Sequence, residues 1–204
     1  MSTARWGLMV RDFKATTTAS ALPPPVGAAA IISGSCSAAT NAQVGNFIAR
    51  GGQAFRVDAL RLGLGEDGAT AALDWASTRL GVDPILVYAS APPEVVAQAQ
   101  ANAGTRNIGE QVEAALATVA RGLVARGVRR LVVAGGETSG ACVHALGIDR
   151  LRVGPQIAPG VPWCHAQEAA LHIALKSGNF GGPDFFHDAF AMLHGASPPG
   201  LAPL

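Results

Sequence analysis

The chain has 204 residues, 49% of them hydrophobic and 14% charged, so it is long enough for a substantial core and too apolar for extended disorder. A formal charge of +1, with no basic run longer than the Arg129-Arg130 pair, excludes a broad electrostatic footprint for nucleic acid or an anionic membrane surface. No apolar run approaches the roughly 20 residues that span a bilayer, and residues 1–10 hold too short an apolar stretch for a secretion signal. Cys36, Cys142 and Cys164 are an odd, unpatterned set, which points to reduced thiols and a cytoplasmic protein.

Residues 1–27 stand apart. Thr16-Thr17-Thr18-Ala19-Ser20 leads into Pro23-Pro24-Pro25, the composition of a tail or linker, so the domain is expected to occupy residues 28–204. An apolar run at 28–32 predicts a strand, followed by Ser33-Gly34-Ser35-Cys36-Ser37 and a helix over 38–50. Phe55, Val57 and Ala59, at period two, predict a strand over 54–60. Leu73, Ala76 and Leu80 share a helical face within 69–80, and Ile85-Leu86-Val87-Tyr88 reads as a buried strand. The strongest helix covers 108–126, where Ile108, Val112, Ala115, Leu116, Val119 and Leu123 form one stripe and Gly127 supplies the stop.

A strand over 130–134 breaks at Gly135-Gly136, and Thr138 or Ser139 is expected to cap a helix running to residue 146. A short strand at 151–153 precedes Pro155, Pro159 and Pro162, which are expected to force a loop. The last strand is placed at 171–175, and a closing helix runs from Pro183 to about residue 194. This alternation predicts an α/β fold: a mostly parallel sheet with helices on both faces, in a single domain.

In open α/β sheets, ligands collect at the carboxyl ends of the strands. Three loops at such ends share a composition: the Ser35 and Ser37 loop; Gly135-Gly136-Glu137-Thr138-Ser139-Gly140; and Lys176-Ser177-Gly178-Asn179-Phe180-Gly181. Each has glycine to admit a close ligand and hydroxyls to donate, and each leads into a helix whose free N–H groups favour phosphate. One helix dipole contributes only about 0.3–1 kcal/mol at an exposed site. Charge-assisted hydrogen bonds contribute about 1.5–3 kcal/mol each, so loops converging on one anion, with Lys176 among them, mean more than any single glycine pair. Taken singly, glycine and serine after a strand are ordinary turn and cap residues.

Other features carry less. No Gly-Lys-Ser/Thr sequence occurs, so there is no Walker A loop. Gly63-Leu64-Gly65-Glu66-Asp67-Gly68 matches G-x-G-x-x-G, but its two carboxylates would meet a pyrophosphate, and it reads as a turn with an acidic helix start. His165 and His172, like His187 and His194, lack zinc spacing. Phe185-Phe186 reads as core, and Ser139 has no adjacent histidine for a hydrolase triad.

At the three loops the sequence resembles the four-carbon acid sugar kinases, in their nucleotide-binding carboxy-terminal domain. The matching stretches are Gly34-Ser35-Cys36-Ser37 with Thr40-Asn41-Ala42-Gln43, and Val133-Ala134-Gly135-Gly136-Glu137-Thr138-Ser139-Gly140. Gly154-Pro155-Gln156-Ile157 with Pro159-Gly160-Val161-Pro162-Trp163, and Leu175-Lys176-Ser177-Gly178-Asn179-Phe180-Gly181, complete the set. The resemblance implies ATP-dependent phosphorylation of the terminal hydroxyl of a threonate, erythronate or oxo-tetronate. It implies that Ser35, Ser37, Gly135 to Ser139 and the loop around Gly178 touch the nucleotide. Mg²⁺ would bridge the phosphates, with Glu137 in direct or water-mediated contact. The family's amino-terminal half opens with an Asp-Asp-Phe-Thr-Gly-like stretch that nothing here matches. The chain is therefore expected to hold at most half of a catalytic cleft, with the sugar acid and catalytic base on a missing domain. The rival expectations are a non-catalytic nucleotide-binding or oligomerising module, in which an uncovered apolar face drives homo-oligomers, and an NAD site at Gly63 to Gly68.

Overall fold

A computed structural model describes residues 21–89 and 107–193. Seven strands form one sheet in the order β2-β3-β1-β4-β7-β6-β5. They are β1 (Ala28–Ser33), β2 (Ala54–Arg56), β3 (Ile85–Tyr88), β4 (Val128–Ala134), β5 (Arg152–Ala158), β6 (Val161–Ala166) and β7 (Leu171–Lys176). The first five in the spatial order are mutually parallel, while β6 runs antiparallel to both β7 and β5. The expected α/β class, with its mostly parallel sheet in one domain, is what the chain adopts. Among the described residues no helix is long and apolar enough to cross a membrane.

Alternation along the strands fills both faces. Ala29 and Ile31 of β1 point to one side with Leu86, Val132 and Ala174, under α1 (Ala38–Ala49) and α6 (Phe185–Leu193). Ala30 and Ile32 point to the other with Val87, Leu131 and Val133, under α3 (Gly68–Ser77), α4 (Ile108–Ala125) and α5 (Gly136–Ala145). The α4 stripe packs as its period demands, with Leu116, Val119, Ala120 and Leu123 fully buried. Phe185 and Phe186 are core, as their sequence context suggested. The β1 loop thus leaves toward one face and the β4 loop beside it toward the other, which opens a crevice at the carboxyl edge of the sheet.

Five local expectations change. The strand expected over 54–60 stops at Arg56, because Asp58 turns its carboxylate onto the N–H groups of Leu60 and Arg61 and starts the short α2 (Ala59–Gly63). Neither Thr138 nor Ser139 caps α5. Gly135 occupies that position at φ +127°, a conformation only glycine adopts without strain, with no side-chain cap. The prolines expected to force a loop sit instead in a hairpin. Pro159-Gly160 makes the turn with Gly160 at φ +78°, Pro155 lies where the β5 register is irregular, and Pro162 precedes the first β6–β7 pair, Trp163 with Ala174. The closing helix begins at Phe185, and the expected helix over 69–80 ends at Ser77.

Thr16 to Ser20 and His194 lie outside the described residues. Residues 21–27 carry no regular structure but lie on the domain. Leu22 packs on the α1–α6 core, the Pro23 carbonyl oxygen is 2.9 Å from His172 Nε2, and the buried Arg130 guanidinium donates to the Gly27 oxygen at 2.8 Å.

Candidate functional site

The three glycine and serine loops meet at the carboxyl edge, around Ser35. Gly34, just after β1, donates its N–H to the Ala134 oxygen at the end of β4 (3.0 Å), and Gly135 donates to the Lys176 oxygen at the end of β7 (2.8 Å). Contact is so close that side chains are excluded. A Cβ on Gly34 would come within 2.2 Å of Thr138 Oγ1, one on Gly135 within 2.8 Å of the same oxygen, and one on Gly178 within 2.5 Å of Ser35 Oγ.

On the α1 side, polar groups hold the β1–α1 and β7–α6 loops together. Ser37, Thr40 and Gln43 are three residues apart and share one face of α1. Ser37 Oγ caps the helix by accepting from Thr40 N–H and donates to the Gly178 oxygen (2.6 Å). Thr40 Oγ1 donates to the same oxygen (2.7 Å), and the buried Gln43 Nε2 faces the Phe180, Gly181 and Gly182 oxygens, each at 3.0 Å. Lys176 is wholly buried beneath this loop. Its ammonium donates to Thr40 Oγ1 (2.9 Å) and to the Ser177 and Gly178 oxygens (3.1 and 3.0 Å), and it lies 5.8 Å from the Phe185 ring centre. Burial pushes its pKa down to about 8.

On the α4 side lies an open cleft of about 430 Å³. Ser35, Gly135, Gly136, Glu137 and Thr138 line it, with Arg56, Asp58, Ile108, Val112 and Glu113 opposite. Of the residues singled out by sequence, Ser37, Ser139, Lys176, Ser177, Gly178 and Asn179 are not on the cleft wall. Ser37 and Lys176 are spent on the loop–loop contact, and Ser177 and Asn179 are exposed. Ser139 Oγ is buried with no partner among the described residues, while its N–H closes the first α5 turn on the Gly135 oxygen.

Glu113 and Glu137 face one another across the cleft. The Glu113 carboxyl is held above its ordinary value, first by burial, then by hydrogen bonding and repulsion from Glu137 and by the charge of Glu110. Sequence reasoning missed Glu113, since the α4 stripe drew attention to its apolar side. It also took Ile108 and Val112 as core alone, whereas both reach the cleft. Arg56 was findable by the same rule that located the other loops, because it ends a parallel strand. The Gly63 to Gly68 stretch offers no pyrophosphate seat: the Asp67 carboxylate already accepts from Thr70 N–H (2.9 Å) at the α3 terminus, and Glu66 pairs with Arg61 (3.4 Å).

A family model described as a nucleotide-binding C-terminal domain matches residues 30–186. The chain is 51% identical over 178 residues to the 3-oxo-tetronate kinase of Cupriavidus necator, covering 87% of this chain and 41% of that protein. The chain belongs to the four-carbon acid sugar kinase family. The 3-oxo-tetronate kinase of Methylobacterium radiotolerans is 50% identical over 172 residues, covering 83% of this chain and 40% of the relative. A crystal structure of Haemophilus influenzae protein HI1011 superposes with a TM-score of 0.77 at 36% identity, over 84% of this chain and 42% of that one. The chain thus spans about two fifths of the length of these relatives, and what it carries is the family's nucleotide-binding domain.

Proposed function

We propose that this domain binds ATP for transfer of its terminal phosphoryl group to the terminal hydroxyl of a four-carbon sugar acid. The observation that carries this is the meeting of three glycine loops at Ser35, where the places a Cβ would take on Gly34, Gly135 and Gly178 are filled by Thr138, Ser35 and Ser37, so that the loops close on one another at the edge of the cleft. A nucleotide fits the cleft in kind: Ile108 and Val112 offer an apolar wall, and the α5 terminus with Ser35 and Thr138 offers phosphate donors. Phosphoryl transfer is mostly positioning and charge stabilisation, and a rigid carboxyl edge supplies the positioning.

Mg²⁺ suits the same donors. It binds through one or two carboxylates plus substrate phosphates, and Glu113 with Glu137 supplies two crowded carboxylates whose repulsion a divalent cation would relieve. Bound there, it would neutralise charge on the phosphates. Among the described residues no group of three or more His, Cys, Asp or Glu could hold a metal unaided, in keeping with a metal that arrives with its nucleotide. The sugar acid and the acceptor of its proton are assigned to a partner domain, and the chain to the cytoplasm. Supporting the substrate are the names of the relatives, 3-oxo-tetronate kinase.

Calorimetry with Mg-ATP tests the reading. Saturable binding is expected, abolished by Gly136→Asp, which sets a carboxylate at the α5 terminus, and by Gly178→Asp, which collides with Ser35 and Ser37. Equal affinity in both variants would remove the site from these loops.

A further inference from the structure

Lys176 has no anionic partner among the described side chains, and every hydrogen bond of its ammonium is to a neutral oxygen of its own loop or of α1. A buried cation is costly unless its surroundings repay it. What it does to the loop is specific. Its Nζ draws in the carbonyl oxygens of two successive peptides, those of Ser177 and Gly178. The Gly178 oxygen is further fixed by Ser37 Oγ and Thr40 Oγ1, three donors on one acceptor.

Across a trans peptide the C=O and N–H point in opposite directions. Oxygens turned in toward Nζ therefore turn the N–H groups of Gly178 and Asn179 outward, side by side. Neither N–H has a partner among the described residues, whereas the next, Phe180 N–H, closes the turn on the Ser177 oxygen at 3.3 Å. Two adjacent free amides on the exposed side of a loop, backed by a buried positive charge, form an anion-binding nest. Gly178 also touches Ser35, which lines the cleft, so the nest adjoins the nucleotide position.

We propose that Lys176 is a positioning residue that never touches the ligand: from beneath the loop it sets the Gly178 and Asn179 amides as a cradle for a nucleotide phosphate. This rests on the reading of the site as a nucleotide site. It replaces the expectation, from sequence alone, of a lysine facing phosphate directly. Its charge is a working part of the cradle, so phosphate affinity falls as pH rises through about 8, where the ammonium loses its proton. The neighbouring elements bring few competing groups. No charged side chain lies in α1; α6 and the residue before it bring Asp184, His187 and Asp188, the first turn of α5 Glu137, and the β1–α1 loop Cys36. The profile is repeated in Cys36→Ser, so that what remains is set by Lys176.

The test compares ATP with adenosine by calorimetry, on the full chain, in wild type, Lys176→Met and Thr40→Val. At least tenfold weaker ATP binding with unchanged adenosine binding is expected in Lys176→Met, and a smaller loss in the same direction in Thr40→Val. The wild-type decline in ATP affinity above pH 8 should persist in Cys36→Ser and vanish in Lys176→Met. Wild-type ATP binding that is flat with pH and unchanged in Thr40→Val overturns the role of Lys176, even if Lys176→Met does not fold. Pyrophosphate is the second probe, followed through the Gly178 and Asn179 amide resonances. Amide shifts with pyrophosphate but no ATP binding would keep the cradle and discard the nucleotide reading; no shift in either amide with pyrophosphate or ATP would discard the cradle.

Discussion

Two regions flank Ser35, and they use polar residues in opposite ways. On the α1 side the donors of Ser37, Thr40, Gln43 and Lys176 are consumed within the protein, and most of these side chains are buried. On the α4 side Glu113, Glu137 and the α5 terminus face a cavity, and two carboxylates crowd together with no ion pair to either among the described residues. A fold gains stability from the first arrangement and forgoes it in the second. Unspent polar groups therefore mark where a ligand belongs, and spent ones mark what holds the place still.

The sharpest way to break this contrast is to disturb the spent side. Gln43→Leu leaves the Phe180, Gly181 and Gly182 oxygens without their buried amide and should cost about 1–3 kcal/mol, read from the urea midpoint. An unchanged midpoint would mean that the loop–loop contact contributes nothing. Next is the pH dependence of stability set by Lys176. Its folded pKa, about 8, lies below its ordinary 10.5, so between these values the unfolded chain binds more protons and stability should rise with pH. Over the same window phosphate affinity should fall, and the opposite signs separate a stability effect from a positioning effect.

The unspent side predicts the reverse behaviour. Glu113 has a folded pKa above its ordinary 4.5, so the folded state holds more protons and stability should decline as pH rises from about 4.5 toward the raised value. Glu113→Gln should flatten that decline without loss of stability at neutral pH, in thermal melts across pH 4–7. A clear destabilisation at neutral pH would show that Glu113 belongs to the scaffold. The smallest effect is expected at Arg50→Ala. Its 2.9 Å pair with Asp184 joins two half-exposed side chains and should change stability by less than about 1 kcal/mol.

Much of this was legible in the sequence because it is periodic or punctuated. The α4 stripe, the apolar run of β1, and glycines at strand ends each follow from local geometry. The three loops could be picked out for the same reason, although their meeting at Ser35 depends on strand order, which no local pattern encodes. What escaped was the direction in which a side chain points. Lys176 in a glycine loop invites a role at the surface, and only its place at the end of β7, between α1 and Phe185, turns it inward. Glu113 escaped for the converse reason: on a helix dominated by its apolar side, a glutamate reads as solvated. Pro155 and Pro162 suggested a loop because a proline's missing N–H matters only where the ladder needs it, and register decides that.

The position of β1 has a consequence in time. This strand lies inside the sheet, between β3 and β4, and Ala28 pairs with Val128 and Ala30 with Ile85. At roughly 5–20 residues per second, a ribosome takes about 5–20 s to deliver β4 after β1 has been made. Throughout that interval a strand reading Ala-Ala-Ala-Ile-Ile-Ser lacks at least one of its two neighbours, and both until β3 has been made. Pairing across such separations also slows refolding in the test tube, so this domain should fold late and all at once, and its nascent chain is a natural client for chaperones.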